Sequence, residues 1–98
     1  MVLQNVDIKK VITSYFKDKP VKKVWLFGSY ARGEADDKSD IDVLVDIEKD
    51  AKLGLRYFLW HQELAELFNK KVDVVSFGWE NKHLKPFIEK DKMVIYEK

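Results

Sequence analysis

The stretch Ile41-Asp42-Val43-Leu44-Val45-Asp46-Ile47 constrains this chain more than any other. Ile41, Val43, Val45 and Ile47 alternate with Asp42, Leu44 and Asp46, the period-two pattern of a strand with one buried face. Asp40 stands directly before it. Side chains at positions i and i+2 of a strand share a face, so Asp40 and Asp42 lie about 6.6 Å apart along one side. Like charges so placed repel each other and lower strand propensity. Such a pair helps a fold only when a cation sits between its members. Hard divalent cations such as Mg²⁺ take carboxylate oxygens, and two-metal sites hold their ions roughly 3.5–4 Å apart.

The rest of the chain supplies a scaffold for that strand. Residues 5–18 are expected to be a helix, because Ile8, Val11, Ile12, Tyr15 and Phe16 form one apolar stripe. Asn5 is its expected N-cap, and Asp18-Lys19-Pro20 ends it. Val21 to Phe27 reads as a strand that stops at Gly28-Ser29. Residues 30–39 are polar and turn-rich, with at most a short helical turn after Ser29. Residues 51–69 read as a long helix, with Leu55, Leu59, Leu64, Leu67 and Phe68 largely on one side. Val72 to Phe77 reads as a third strand, residues 80–90 as a shorter helix with Pro86 in its first turn, and Met93 to Tyr96 as a fourth, edge strand. The order predicts an α+β fold of two layers: a mixed sheet of about four strands with helices packed mainly on one face.

Ninety-eight residues suit one domain, 1–98, with a single core. Hydrophobic residues are 46% and charged residues 36%, a globular balance. The absence of cysteine excludes a disulfide scaffold, a thiolate metal site and a cysteine nucleophile. The net charge of +1 offers no general attraction to DNA or to an anionic membrane. No apolar run has the length of a membrane span, and MVLQNVDIKK lacks a signal-peptide core, so the expected location is the cytoplasm.

Gly28-Ser29 stands where a strand turns into a helix start. Glycine lets backbone approach a ligand closely, free N–H groups at a helix N-terminus bind phosphate, and Ser29 adds a hydroxyl. Arg32 and Lys38 are cations within reach of a polyphosphate. A phosphate cradle followed by a metal-binding pair is what nucleotidyl transfer requires. Asp73 is the best third carboxylate. It lies between Val72 and Val74, where a charge is costly without a partner, and it falls beside Asp42 if the second and third strands pair. Its role would be to bind the catalytic metal and help deprotonate the acceptor hydroxyl.

Phe27-Gly28-Ser29, ten residues, then Asp40-Ile41-Asp42-Val43 resembles the signature of the DNA polymerase beta-like nucleotidyltransferase superfamily. The wider string GSYARGEADDKSDIDVLVD is similar to its minimal, MNT-type subgroup. The resemblance covers residues 5–98 in outline, and its specific part covers 27–46. It implies a two-layer nucleotidyltransferase fold and a Mg²⁺-dependent enzyme, with two ions and ATP as substrate. It further implies an antitoxin that transfers AMP onto a tyrosine of a partner HEPN-domain toxin. In that reading Gly28 and Ser29 hold the triphosphate, Asp40 and Asp42 ligate the metal, and Asp73 joins them less securely. Arg32 matches an arginine frequent in the family.

Plainer readings stand beside these. Arg32 could be an ion-paired surface residue, with Glu34 or a loop aspartate as partner. His61 and His83 lack metal-ligand spacing. Lys70-Lys71 reads as mostly solvated. Tyr57-Phe58-Leu59-Trp60 cannot all bury on one helix face, so the run is either a deep sandwich or a surface for a partner or a homodimer. Two alternatives to protein modification remain: transfer to a small molecule, and a non-catalytic module that neutralises its partner by occlusion.

Overall fold

The computed structural model describes residues 3–78 and 82–98. Its elements in chain order are α1 (Asn5–Phe16), β1 (Val21–Phe27), α2 (Ser29–Arg32), β2 (Ile41–Ile47), α3 (Arg56–Phe68), β3 (Val72–Ser76), α4 (Lys85–Asp91) and β4 (Met93–Glu97). The strands form one mixed sheet in the order β3-β2-β1-β4. β1 is antiparallel to β2 and to β4, and β3 joins β2 in parallel. A parallel pair needs a long crossover, and α3 with its flanking loops supplies it.

Alternation along the strands sorts the side chains into two faces. Val24, Leu26, Ile41, Val43, Val45, Val72, Val74 and Ile95 share one core with Ile8, Ile12 and Phe16 of α1, Trp60, Leu64 and Phe68 of α3, and Tyr30 of α2. Trp25, Leu44 and Ile88 form a smaller cluster on the other face, with Phe27 and Val75 against it. Thus α1 and α3 cover one face, as expected, and α4 reaches the other through Ile88. Asp42 lies between Ile41 and Val43, and Asp73 between Val72 and Val74. Both therefore project from the face with the sparser cover.

Several expectations need correction. Gln4, not Asn5, is the N-cap of α1, and the helix ends at Phe16. The long helix begins at Arg56, because Gly54 takes a left-handed φ of 54° that a helix cannot pass through. Its buried residues are Trp60, Leu64 and Phe68, whereas Leu55, Leu59 and Leu67 are exposed. The stripe is rotated from the leucine pattern because the larger Trp60 ring packs edge-on against Phe16 at 5.3 Å. This divides the aromatic run: Trp60 is buried, Tyr57 is half-buried, and Phe58 and Leu59 face outward. The last helix starts at Lys85 with Pro86 in its first turn, and the expectation for residues 80 and 81 lies outside the described residues. Among the described residues no helix is long and apolar enough to cross a membrane.

Candidate active site

The ends of three strands converge on one point. Phe27, the last residue of β1, pairs with Asp42, and Asp42 in turn sits opposite Asp73 on β3. The chain then turns at Gly28, with φ 78° and ψ −156°. A Cβ built on Gly28 would collide with the Asp42 Oδ2 oxygen, so only glycine lets the backbone lie this close to the carboxylate. α2 follows as a single turn, closed by the Gly33 N–H on the Tyr30 carbonyl and by the Glu34 N–H on the Ser29 carbonyl at 2.9 Å. Ser29 is thus held beside the carboxylates at the start of a very short helix, whose dipole is correspondingly small.

Asp42 and Asp73 share a side-chain hydrogen bond. Burial pushes the Asp42 carboxyl up to about 7, the negative charges of Asp73 and Asp40 add to the effect, and Lys71 opposes it. One proton between two adjacent carboxylates offsets their repulsion. The Lys71 ammonium, 3.8 Å from Asp40 Oδ2 and 3.9 Å from Asp73 Oδ1, offsets the remaining charge. Asp40 therefore joins the pair through a lysine. Among the described residues, no three or more His, Cys, Asp or Glu side chains gather closely enough to hold a metal as they stand. The Asp42–Asp73 pair nevertheless suits a divalent cation. It presents hard oxygen donors side by side, and a proton and the exposed Lys71 ammonium compensate its excess charge.

The raised Asp42 carboxyl has a measurable consequence. Between the ordinary aspartate value and about 7, the folded chain holds a proton that the unfolded chain has released. Stability from this group is therefore complete at low pH and is lost as the pH rises toward 7. With EDTA present, Asp42→Asn is expected to raise the melting temperature relative to the parent by a margin that widens from pH 5 to pH 8. A margin constant with pH would contradict the shared proton.

Arg32 is placed differently from its expected role as a triphosphate ligand. Its Nε donates to Glu34 at 2.9 Å and its Nη1 donates to Asp91 of α4 at 2.7 Å. The Glu34 pair matches the plainer reading, and Asp91 replaces the expected loop aspartate. The sequence reading also missed both lysines at 70 and 71. Lys71 precedes Asp73 by two residues, so strand alternation already places it on the carboxylate face. Lys70, read as solvated, is part-buried with its ammonium in hydrogen bonds. A cavity of about 950 Å³ lies toward the far end of β2 and β3, lined by Ile47, Tyr57, Ser76 and Phe77 among others. None of the three carboxylates lines it, and the Asp40 and Asp73 side chains are partly exposed.

A glycine turn against an aspartate pair on a mixed sheet is the arrangement of a nucleotidyltransferase. The chain belongs to the polymerase beta nucleotidyltransferase family, which it matches over residues 9–98. A Methanocaldococcus jannaschii protein, provisionally named a protein adenylyltransferase, is 38% identical over 88 residues, covering 89% of this chain and 86% of its own. The protein adenylyltransferase MntA of Thermococcus cleftensis is 36% identical over 73 residues, covering 70% of this chain and 73% of its own. The same fold occurs in a solved complex of the tri-AMPylated HEPN toxin of Shewanella oneidensis with MNT antitoxin. There the TM-score is 0.71 at 21% identity, over 97% of this chain and 74% of that one.

Proposed function

We propose that this chain is a protein adenylyltransferase that moves AMP from ATP onto a tyrosine hydroxyl of a HEPN-type toxin and so acts as its antitoxin. The observation that carries the reading is the Asp42–Asp73 pair lying directly against the Gly28 turn. Support for the acceptor comes from the relatives, which are named protein adenylyltransferases, and from the complex that shares the fold and contains an AMPylated toxin.

Gly28 brings backbone close to the triphosphate and Ser29 adds its hydroxyl. Asp42 and Asp73 would hold Mg²⁺, with Asp40 at the rim once Lys71 swings aside. Bound there, the metal would neutralise charge on the triphosphate and on the departing pyrophosphate. The acceptor oxygen attacks the α-phosphorus, the bond to the β-phosphate oxygen breaks, and pyrophosphate leaves. Asp73 would take the acceptor's proton. Most of the rate enhancement in such a site comes from positioning and charge neutralisation. The partial exposure of Asp40 and Asp73 suits a macromolecular acceptor that completes the walls of the site.

The test incubates the purified chain with a HEPN-type toxin, ATP and Mg²⁺, followed by mass spectrometry of the toxin's tyrosines. AMP on a tyrosine, with restored cell growth, is the expected result. A second reading, neutralisation by occlusion alone, draws on the exposed Phe58 and Leu59 of α3 and Leu55 just before it. It predicts full neutralisation by Asp42→Ala with no modified tyrosine, and that outcome would displace the enzymatic reading.

A further inference from the structure

The two halves of the site sit on separate segments: Ser29 on α2, and Asp40 at the end of the loop before β2. A single side chain from a third segment spans them. Lys70 follows the left-handed Asn69 that ends α3, and its N–H is held by the Ala65 carbonyl at 3.2 Å. Its ammonium donates to the Tyr30 hydroxyl at 2.9 Å, to the Ser39 carbonyl at 2.7 Å and to the Asp37 carbonyl at 3.4 Å. Those three bonds use all three of its donors. Tyr30 directly follows Ser29 and is buried in the main core, and Ser39 directly precedes Asp40. The loop end that Lys70 grips is itself a closed turn. Asp36 accepts the Lys38 N–H at 2.9 Å and the Ser39 hydroxyl at 3.2 Å, and the Ser39 N–H reaches the Asp36 carbonyl at 3.1 Å.

We infer that Lys70 is a positioning residue for nucleotidyl transfer: it clamps the Asp40 loop to α2 and so fixes the spacing between the carboxylates and the phosphate-binding turn. The inference rests on the function proposed above. A lysine suits the task because its long side chain reaches a phenol and two carbonyls on two other segments, and its charge also acts on Asp36 in the same loop. Neither Lys70 nor Tyr30 needs to touch substrate. Their effect passes through Ser29 and Asp40, whose neighbours they hold.

The test compares Lys70→Met, Lys70→Arg, Tyr30→Phe and the double variant Lys70→Met/Tyr30→Phe. Loss of a group that orients a site typically costs 10–100-fold, so kcat of Lys70→Met is expected to fall within about that range. KM for ATP should move less than about threefold, since the lost contact is not to the nucleotide. Lys70→Arg should recover part of kcat. Tyr30→Phe should lose kcat as well, and the double variant should be little worse than Lys70→Met, because both cut the same link. Wild-type kcat in Lys70→Met, or a silent Tyr30→Phe beside a crippled Lys70→Met, would overturn the clamp. Hydrogen exchange at the Lys38, Ser39 and Asp40 amides provides a readout independent of turnover. Faster exchange in Lys70→Met supports the clamp and unchanged exchange overturns it, even if the parent protein transfers no nucleotide and the proposed function fails.

Discussion

Replacing Asp42 by asparagine is expected to reduce nucleotidyl transfer by about a thousandfold while leaving the fold intact. Asparagine has the same size and still bonds to Asp73, so the packing around β2 survives. It lacks the negative charge that a divalent cation requires. Losing several kcal/mol of charge stabilisation in the transition state, about 4 kcal/mol, corresponds to that factor. The same change removes a buried charge: burial first, and then the charges of Asp73 and Asp40, push the Asp42 carboxyl up to about 7, so the inactive variant should be more heat-stable than its parent at pH 8 without metal. Inactivity joined to higher stability separates a functional carboxylate from a structural one. Initial rates with α-labelled ATP, together with melting curves, provide the check. A variant that retains more than about a tenth of the parent's rate would remove Asp42 from the chemistry.

Gly28→Ala should be nearly as damaging for a different reason. The backbone at Gly28 has a φ of 78°, and a Cβ there strikes the Asp42 carboxylate. With ψ at −156° this is a region essentially closed to residues with a Cβ, costing about 1–3 kcal/mol, equivalent to a melting-temperature loss of about 5–20 °C in a chain of this size. The larger effect should be on rate. Either the turn or the Asp42 side chain must move, and a displacement of about 1 Å at a positioned group can cost about a hundredfold. Circular dichroism and the transfer assay should therefore show a folded but slow enzyme. A Gly28→Ala variant with parental kcat would show that the close contact between turn and carboxylate has no part in the reaction.

The sequence exposed the site more readily than it exposed the packing around it. Period-two alternation located β2, and the gap between Gly28-Ser29 and Asp40 made the turn and the carboxylates one motif. Asp73 was legible because a charge between Val72 and Val74 needs a partner, and the β2–β3 register supplies Asp42. The phase of α3 was misread because Tyr57 to Trp60 places large apolar groups at four successive positions. Only packing against Phe16 decides which of them turn inward. The Arg32–Asp91 pair was not legible because Asp91 lies 59 residues along the chain, and local spacing carries no trace of it. Lys70 was missed for the same reason: its acceptors Tyr30 and Ser39 come from distant segments that meet only in the folded sheet.

The most direct test of the central claim, that the Asp42–Asp73 pair beside Gly28 is a nucleotidyl-transfer centre, is a paired labelling experiment with the purified chain and a HEPN-type toxin offered as its partner. ATP labelled at the α-phosphate should leave its label on the partner, whereas ATP labelled at the γ-phosphate should release its label as pyrophosphate, and both signals should vanish in Asp42→Asn. Label from the γ-position on the partner, or equal α-labelling by Asp42→Asn, would contradict it.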